Sequence, residues 1–399
     1  MTHLAQRISL IKESPTMAVM AKAITMQKSG LDVITLAAGE PDFDTPTHIK
    51  QAAIEAINAG QTKYTPAGGT IELKTAVVNK FARENNLQYT TSEVLVSAGG
   101  KHSIYNAIQA LIDAGDEAII PAPYWVSYPD MVLLAGGKPV CIPCYKNENY
   151  KLTPEKLEQA ITPKTKLLFL NSPNNPTGRV YSRAELRALA DVLVAHPQIY
   201  IITDDIYEHI LYTSEPFCNI LNAAPELHQR TIVINGVSKA YAMTGWRIGF
   251  AACGDGAIIK AMDTVQSQST SNPCSISQAA ALSALTGGLE CTKPMLAAFK
   301  KRHDYVMQRL NAINGIECMP ADGAFYAFFE CSRAIANLHS QGKISEKTDL
   351  ALANYLLDNF HVAGVPGSAF GLEDHIRLSF ATSEDELRIA LDRIASALN

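Results

Sequence analysis

The chain has 399 residues, a length that suits two or three domains, or one large domain with a smaller attachment. With 47% hydrophobic residues it can bury a sizeable core, and a net charge of −5 with both signs scattered argues against a nucleic-acid or anionic-membrane partner held by bulk electrostatics. A local basic pocket for a small anion remains open.

The first forty or so residues contain one helix and little else, and are expected to pack on the C-terminal part of the chain. No charged N-terminal segment leads into an apolar stretch, so no signal peptide is expected, and apolar runs such as 118–120 are far too short to span a bilayer. Short apolar runs at 94–96, 117–120, 166–170, 200–203, 231–234 and 248–252 read as strands. Helical patterns, for example 103–112 and 184–195, fall between them. Strands this apolar, separated by helices, predict βαβ units and a mostly parallel sheet covered on both faces. The last part changes character: a charged helix over 300–310, a strand over 323–329, a helix over 349–360, a strand over 376–380 and a final helix from Ser383. That is an α+β pattern. The expected division is an N-terminal segment (1–45), a large domain (46–295) and a small C-terminal domain (296–399).

The eight cysteines are dispersed, and only Cys141 and Cys144 form a CxxC. No second Cys or His pair stands at zinc spacing, so no metal is expected. The pair falls in a strand-like run and is expected to be two buried thiols, in a chain suited to a reducing cytosol.

Ligands of open α/β sheets bind at the carboxyl ends of the strands, so the polar clusters that follow strands are the candidate sites. Asp204 follows one strand, with Tyr207 three residues on; such an acid can cap the next helix or hold a ring nitrogen protonated. The run from Asn171 to Gly178, with Asn174 and Asn175 adjacent, is a turn whatever else it does. Gly99, Gly100 and Lys101 open a helix and expose backbone N–H groups suited to a phosphate, although neither a Walker A loop nor a GxGxxG is present. Lys239 follows another strand and lies eight residues before Arg247. A buried lysine there has a lowered pKa and attacks carbonyls, whereas a solvated one is an ordinary loop residue. Arg247 offers a fork of donors to a phosphate. Trp125 is either packing or a platform for a flat ring. Arg377, within a strand, is either an edge residue or a bidentate carboxylate binder.

Together these residues supply an amine, an acid, ring-oxygen donors, an aromatic stacker and phosphate donors, which are the parts pyridoxal phosphate demands. The sequence resembles class I aminotransferases of the aspartate aminotransferase type, fold type I, in the bacterial subgroup that includes thermophile enzymes. The resemblance runs through the segment from Ala38 to Pro46, Thr62-Lys63-Tyr64, the Trp125 run, the Asn175-Pro176-Thr177-Gly178 turn, Asp204 with Tyr207, Lys239 to Arg247, and Ile376-Arg377-Leu378-Ser379. It implies a large α/β domain whose mostly parallel sheet is sandwiched by helices, plus a smaller α+β domain.

The resemblance also implies roles. Lys239 holds pyridoxal 5′-phosphate as a Schiff base, is displaced by the substrate amine, and shuttles the proton between Cα and the cofactor C4′. Asp204 pairs with the pyridine nitrogen. Tyr207 and Asn175 bond to the ring oxygen, and Trp125 stacks on the ring. Gly99, Gly100, Lys101, Ser238 and Arg247 surround the phosphate. Tyr64 reaches the phosphate of a neighbouring subunit, which makes a homodimer with shared sites the active unit. Arg377 binds the substrate α-carboxylate with help from Asn175 and Gly39.

Two departures stand out. Many relatives place a second serine where this chain has Gly236, so Ser238 is the only serine in that turn. No arginine appears in 267–272, where other aspartate enzymes supply a distal-carboxylate partner, and the subgroup implies that Lys12 serves instead. The expected function is transfer of the amino group of L-aspartate to 2-oxoglutarate by a ping-pong cycle, in the cytoplasm, with no nucleic acid and no membrane involved. The alternative keeps the chemistry and prefers prephenate or arogenate, an aromatic amino acid or alanine. A regulator built on this fold would need an added DNA-binding module, for which the chain has no spare length.

Overall fold

The computed structural model describes residues 4–11 and 13–398. Lys12 therefore lies outside the described residues. Thirteen strands are present among them: β1 (Ile34–Thr35), β2 (Val94–Ser97), β3 (Glu117–Ala122), β4 (Lys138–Pro143), β5 (Thr165–Asn171), β6 (Tyr200–Asp204), β7 (Thr231–Gly236), β8 (Gly249–Ala252), β9 (Glu317–Cys318), β10 (Tyr326–Glu330), β11 (Val362–Ala363), β12 (Val365–Pro366) and β13 (His375–Ser379).

The central sheet has seven strands in the order β2-β8-β7-β6-β5-β3-β4, and β8 alone runs against the others. Its strands are apolar on both sides because both sides are covered. In β5, Leu167 and Phe169 join one cluster with Ile104, Ile108 and Met262, from the helices Gly100–Leu111 and Gly256–Ser269. The intervening Leu168 and Leu170 join the opposite cluster with Phe81, Leu189 and Ala281, from the helices Ile71–Asn85, Arg183–Ala195 and Ser275–Thr286. Each such fully buried side chain contributes about 1.5–3 kcal/mol.

The second sheet is antiparallel, in the order β12-β13-β10-β9, and packs on the helices Lys293–Asn311, Asp349–Phe360 and Glu384–Leu398 through Phe299, Leu310, Phe329, Leu356, Ile376 and Ile394. The N-terminal helix Pro15–Lys28 sits on this part of the molecule: Ala23 packs with Val33, Leu357 and Ala363, and β1 pairs with β11. Among the described residues, no helix is long and apolar enough to cross a membrane.

The expected strands are present and mostly longer than expected. β5 runs on to Asn171 and β6 to Asp204, so two polar residues belong to strand ends rather than to loops. The strand expected over 323–329 starts only at Tyr326; Gly323 makes an isolated bridge to Leu211, and Ala324 has a positive φ. One expectation is corrected. Cys144 is buried but Cys141 is exposed, because β4 is the edge strand and is only partly covered.

Candidate active site

A cavity of about 390 Å³ opens at the carboxyl ends of β5, β6 and β7. β10 and β13 of the second sheet supply Tyr326 and Arg377 to its wall. A larger depression of about 1140 Å³ lies elsewhere, but its Lys151 and Arg179 are already paired with Glu185 and Asp322. The smaller cavity is where unpaired chemistry converges.

Lys239 follows β7, and its Nζ donates to the Gly39 carbonyl at 2.6 Å. Burial lowers its pKa to about 8 against the pull of Glu40 and Asp204, so the neutral amine is a minority near neutrality but a far larger share than in an exposed lysine. Asp204 ends β6. Burial pushes its carboxyl up to about 6, and the Tyr128 hydroxyl, donating at 2.7 Å, works in the opposite direction. No α-helix follows Asp204, so it does not cap one; the chain turns instead. Asn171, at the end of the neighbouring strand, fixes this arrangement by donating to the Asp204 carbonyl at 2.8 Å and accepting the Asn175 N–H at 2.9 Å. The Tyr207 hydroxyl shares a 2.7 Å hydrogen bond with that of Tyr326.

Arg377 lies in β13 between β12 and β10, and is only 2% exposed. Its Nη1 donates to Asn175 Oδ1 at 3.0 Å and its Nη2 to the Ala37 carbonyl at 2.5 Å. Its Nε is buried with no partner, and no carboxylate among the described residues pairs with it. The guanidinium rests over the rings of Tyr326 and Phe370, 4.6 and 4.9 Å from their centroids. Burial lowers its pKa, an indication of how strongly this interior wants an anion beside it.

At the other end of the cavity, Gly99 has φ +96° and leads into the helix Gly100–Leu111. A methyl group at Gly99 would run into the Arg247 guanidinium. Arg247 itself bonds only to carbonyls, Thr244 at 2.8 Å and Ala98 at 3.4 Å, with no carboxylate partner among the described residues. A helix N-terminus facing an arginine without an anion is a site built for a phosphate. Lys101 Nζ lies 4.8 Å from the Trp125 ring centroid, and burial followed by repulsion from Arg247 lowers its pKa.

Of the residues expected from sequence, Gly39, Gly100, Lys101, Trp125, Asn175, Asp204, Tyr207, Ser238, Lys239, Arg247 and Arg377 line this cavity. Gly99 adjoins it through Arg247. Tyr64 does not line it and is 92% exposed. Lys12 lies outside the described residues; Ser14, Thr16, Met17 and Met20 line the cavity. A side chain at Gly236 would press on Gly249 Cα and the Ile248 carbonyl, each 3.0 Å away.

Sequence reasoning missed Tyr128, Asn171, Tyr326, Glu40 and Thr244. Glu40 and Thr244 line the cavity and bond to each other at 2.8 Å. Tyr128 lies in the Trp125 run and Asn171 opens the Asn175 turn, so proximity in sequence was the available signal. Tyr326 offered none beyond its strand.

An amine poised as a nucleophile, an acid beside it, a phosphate cradle and a flat aromatic wall define the pyridoxal-phosphate enzymes of the open α/β type. The residues present fit that cofactor: Arg247, which has no carboxylate partner among the described residues, and the helix terminus suit its phosphate, Lys239 its aldehyde and Asp204 its ring nitrogen.

Comparison with known proteins agrees. The pattern of the family described as aminotransferase class I and II matches residues 31–394, and the chain belongs to that family. It is 56% identical to the aspartate/prephenate aminotransferase of Nitrosomonas europaea, over 99% of this chain and 100% of the relative. It is 51% identical to an aspartate aminotransferase of Rhizobium meliloti strain 1021, over 98% of this chain and 95% of that one. The aspartate aminotransferase of Thermus thermophilus, solved with maleate, superposes with a TM-score of 0.92 at 43% identity, covering 100% of both chains. The protein is thus a pyridoxal-phosphate-dependent aminotransferase, acting on an amino acid and a 2-oxo acid.

Proposed function

We propose that the protein transfers the amino group of L-aspartate to 2-oxoglutarate, giving oxaloacetate and L-glutamate by a ping-pong cycle. The observation that carries this reading is Arg377: a buried guanidinium with an unused Nε, in the same cavity as an amine of lowered pKa. That pair suits a substrate bearing an α-carboxylate next to its reacting carbon. The names of the relatives supply aspartate.

Pyridoxal phosphate, when bound, supplies an electron sink for the charge left on the substrate Cα. Asp204 keeps the ring nitrogen protonated, with Tyr128 holding the carboxylate in place. Tyr207 and Asn175 donate to the ring oxygen. Trp125 covers the ring. Gly99, Gly100, Lys101, Ser238 and Arg247 hold the phosphate. Lys239, as the free amine, would take the proton from the substrate Cα and return it to the cofactor C4′, and its lowered pKa suits a base working near neutrality. Lys12 takes the distal carboxylate. The working unit is a cytoplasmic homodimer in which Tyr64 reaches the partner's cofactor phosphate, built from the segment 1–45 and domains 46–295 and 296–399.

A second reading, use of prephenate as well, is favoured by the Nitrosomonas europaea relative and by Met17, Met20 and Val126, which give the cavity an apolar side.

Half-reaction kinetics with aspartate, glutamate, alanine, phenylalanine and arogenate test both. Aspartate is expected to convert the bound cofactor to its amine form fastest. Lys239→Ala is expected to lose about 10⁴-fold or more in that rate. Lys12→Ala is expected to raise KM for aspartate far more than for phenylalanine. Equal effects on both would remove Lys12 from the distal contact, and a preference for alanine or phenylalanine would overturn the aspartate assignment.

A further inference from the structure

Tyr326 has no assigned role, yet its place in the cavity is specific. It is fully buried and its hydroxyl meets that of Tyr207 at 2.7 Å. It pairs with Ser379 across β10 and β13, while Arg377 pairs with Phe328, so Tyr326 and Arg377 are diagonal neighbours on one face of the sheet. That register puts the ring under the Arg377 guanidinium, which lies 4.6 Å from the ring centroid, while the hydroxyl reaches that of Tyr207. One side chain therefore touches both the carboxylate-binding arginine and the phenol proposed to bond to the cofactor ring.

Both hydroxyls line the cavity, and either could donate to the other. The direction is set by the second bond that Tyr207 is proposed to make. A phenol carries one proton, so a Tyr207 that donates to the cofactor ring oxygen can only accept from Tyr326. Tyr326 must then donate, and its buried O–H is satisfied by doing so. A phenol that accepts one hydrogen bond also becomes a stronger donor for the next.

We infer that Tyr326 is a positioning residue that donates to Tyr207 and so directs the Tyr207 proton at the cofactor ring oxygen. Its ring at the same time supports Arg377 from below. This rests on the proposed contact between Tyr207 and the cofactor.

The test follows the visible absorbance of the bound cofactor against pH in four forms of the holoenzyme: wild type, Tyr207→Phe, Tyr326→Phe and the double variant. Donation to the ring oxygen lowers the pH at which that absorbance changes. Tyr326→Phe keeps the ring beneath Arg377 and removes only the hydroxyl. It is expected to raise the midpoint by about 0.5–1 pH unit, the worth of one hydrogen bond. Tyr207→Phe should raise it at least as much. The double variant should match Tyr207→Phe alone, because Tyr326 acts through Tyr207. In steady state Tyr326→Phe should lower kcat with little change in the KM for aspartate, since Arg377 keeps its support. A general packing defect would move neither the midpoint nor its dependence on Tyr207.

If Tyr207→Phe shifts the midpoint and Tyr326→Phe does not, or if the two shifts add in the double variant, the inference is overturned while the site reading stands. If Tyr207→Phe leaves the midpoint unmoved, the Tyr207 contact and the inference fall together.

Discussion

Removing a guanidinium from water costs several kcal/mol unless an anion or a full set of acceptors replaces the solvent. Arg377 has two carbonyl-type acceptors, two aromatic faces and an idle Nε. The acceptor we propose for it is the substrate carboxylate, which a planar fork would hold in a way lysine cannot copy. Arg377→Lys keeps the charge and loses the fork. KM for aspartate should rise on the order of 10²-fold, as expected for a desolvated charge pair. Steady-state kinetics check this, and a change under about threefold would mean that the arginine does not hold the carboxylate. Lys239 gives a pH prediction. Its pKa is lowered to about 8, so the neutral amine that attacks an aldehyde forms as pH rises through 8 rather than 10.5. In protein stripped of cofactor, the rate of pyridoxal phosphate uptake should climb with pH and level off above about 8. Uptake still rising steeply at pH 10 would show that burial does not tune this lysine. Both residues were legible in the sequence because each directly follows or occupies an apolar strand. Tyr128 and Tyr326 were not, because a phenol that acts by bonding to another side chain leaves no motif, and its partner is fixed only by the tertiary fold.

At the scale of elements, hydrophobic periodicity located the strands but did not give their direction. β8 runs antiparallel because only residues 237–248 separate it from β7, and they hold a 3-10 turn, Thr244–Trp246, instead of a crossover helix. That short return places Lys239 and Arg247 on one loop, at opposite ends of the cofactor they are proposed to hold. It also presses β8 against the helix Gly100–Leu111: a methyl group at Gly249 would overlap the Gly100 backbone nitrogen. Gly249→Ala should therefore push the helix start outward. Denaturant unfolding of the cofactor-free protein should show a loss of about 1–3 kcal/mol, and equilibrium titration should show weaker cofactor binding. Loss of stability with unchanged cofactor affinity would mean that the strand moves and the helix does not. Edge position was equally unreadable: Cys141 and Cys144 look alike in sequence, and only the strand order reveals that β4 has no outer neighbour.

For the whole molecule, one chain leaves apolar surface unaccounted for. Ile54, Ile57 and Ile71 are about half exposed on the helices Thr47–Asn58 and Ile71–Asn85, and Tyr64, between those helices, is 92% exposed. Sequence patterning could not separate this face from a surface that meets water, since both lie outside the core of their own chain. If Tyr64 completes a neighbour's phosphate site, its loss must be felt in the other subunit. Tyr64→Phe homodimers should bind pyridoxal phosphate about 10-fold more weakly, the cost of one hydrogen bond to a charged group. Lys239→Ala homodimers should be inactive. A mixed dimer carrying one variant in each chain then decides the geometry. Its one site with Lys239 belongs to the Tyr64→Phe chain and draws its Tyr64 from the Lys239→Ala chain. That site is intact, so the mixed dimer should show wild-type cofactor affinity and about half of wild-type activity per dimer. Were Tyr64 to serve its own chain, the same site would keep the defect, and the mixed dimer would need as much cofactor as the Tyr64→Phe homodimer. Titrating activity against pyridoxal phosphate separates the two outcomes, because only an exchange of residues between subunits lets two impaired chains make one sound site.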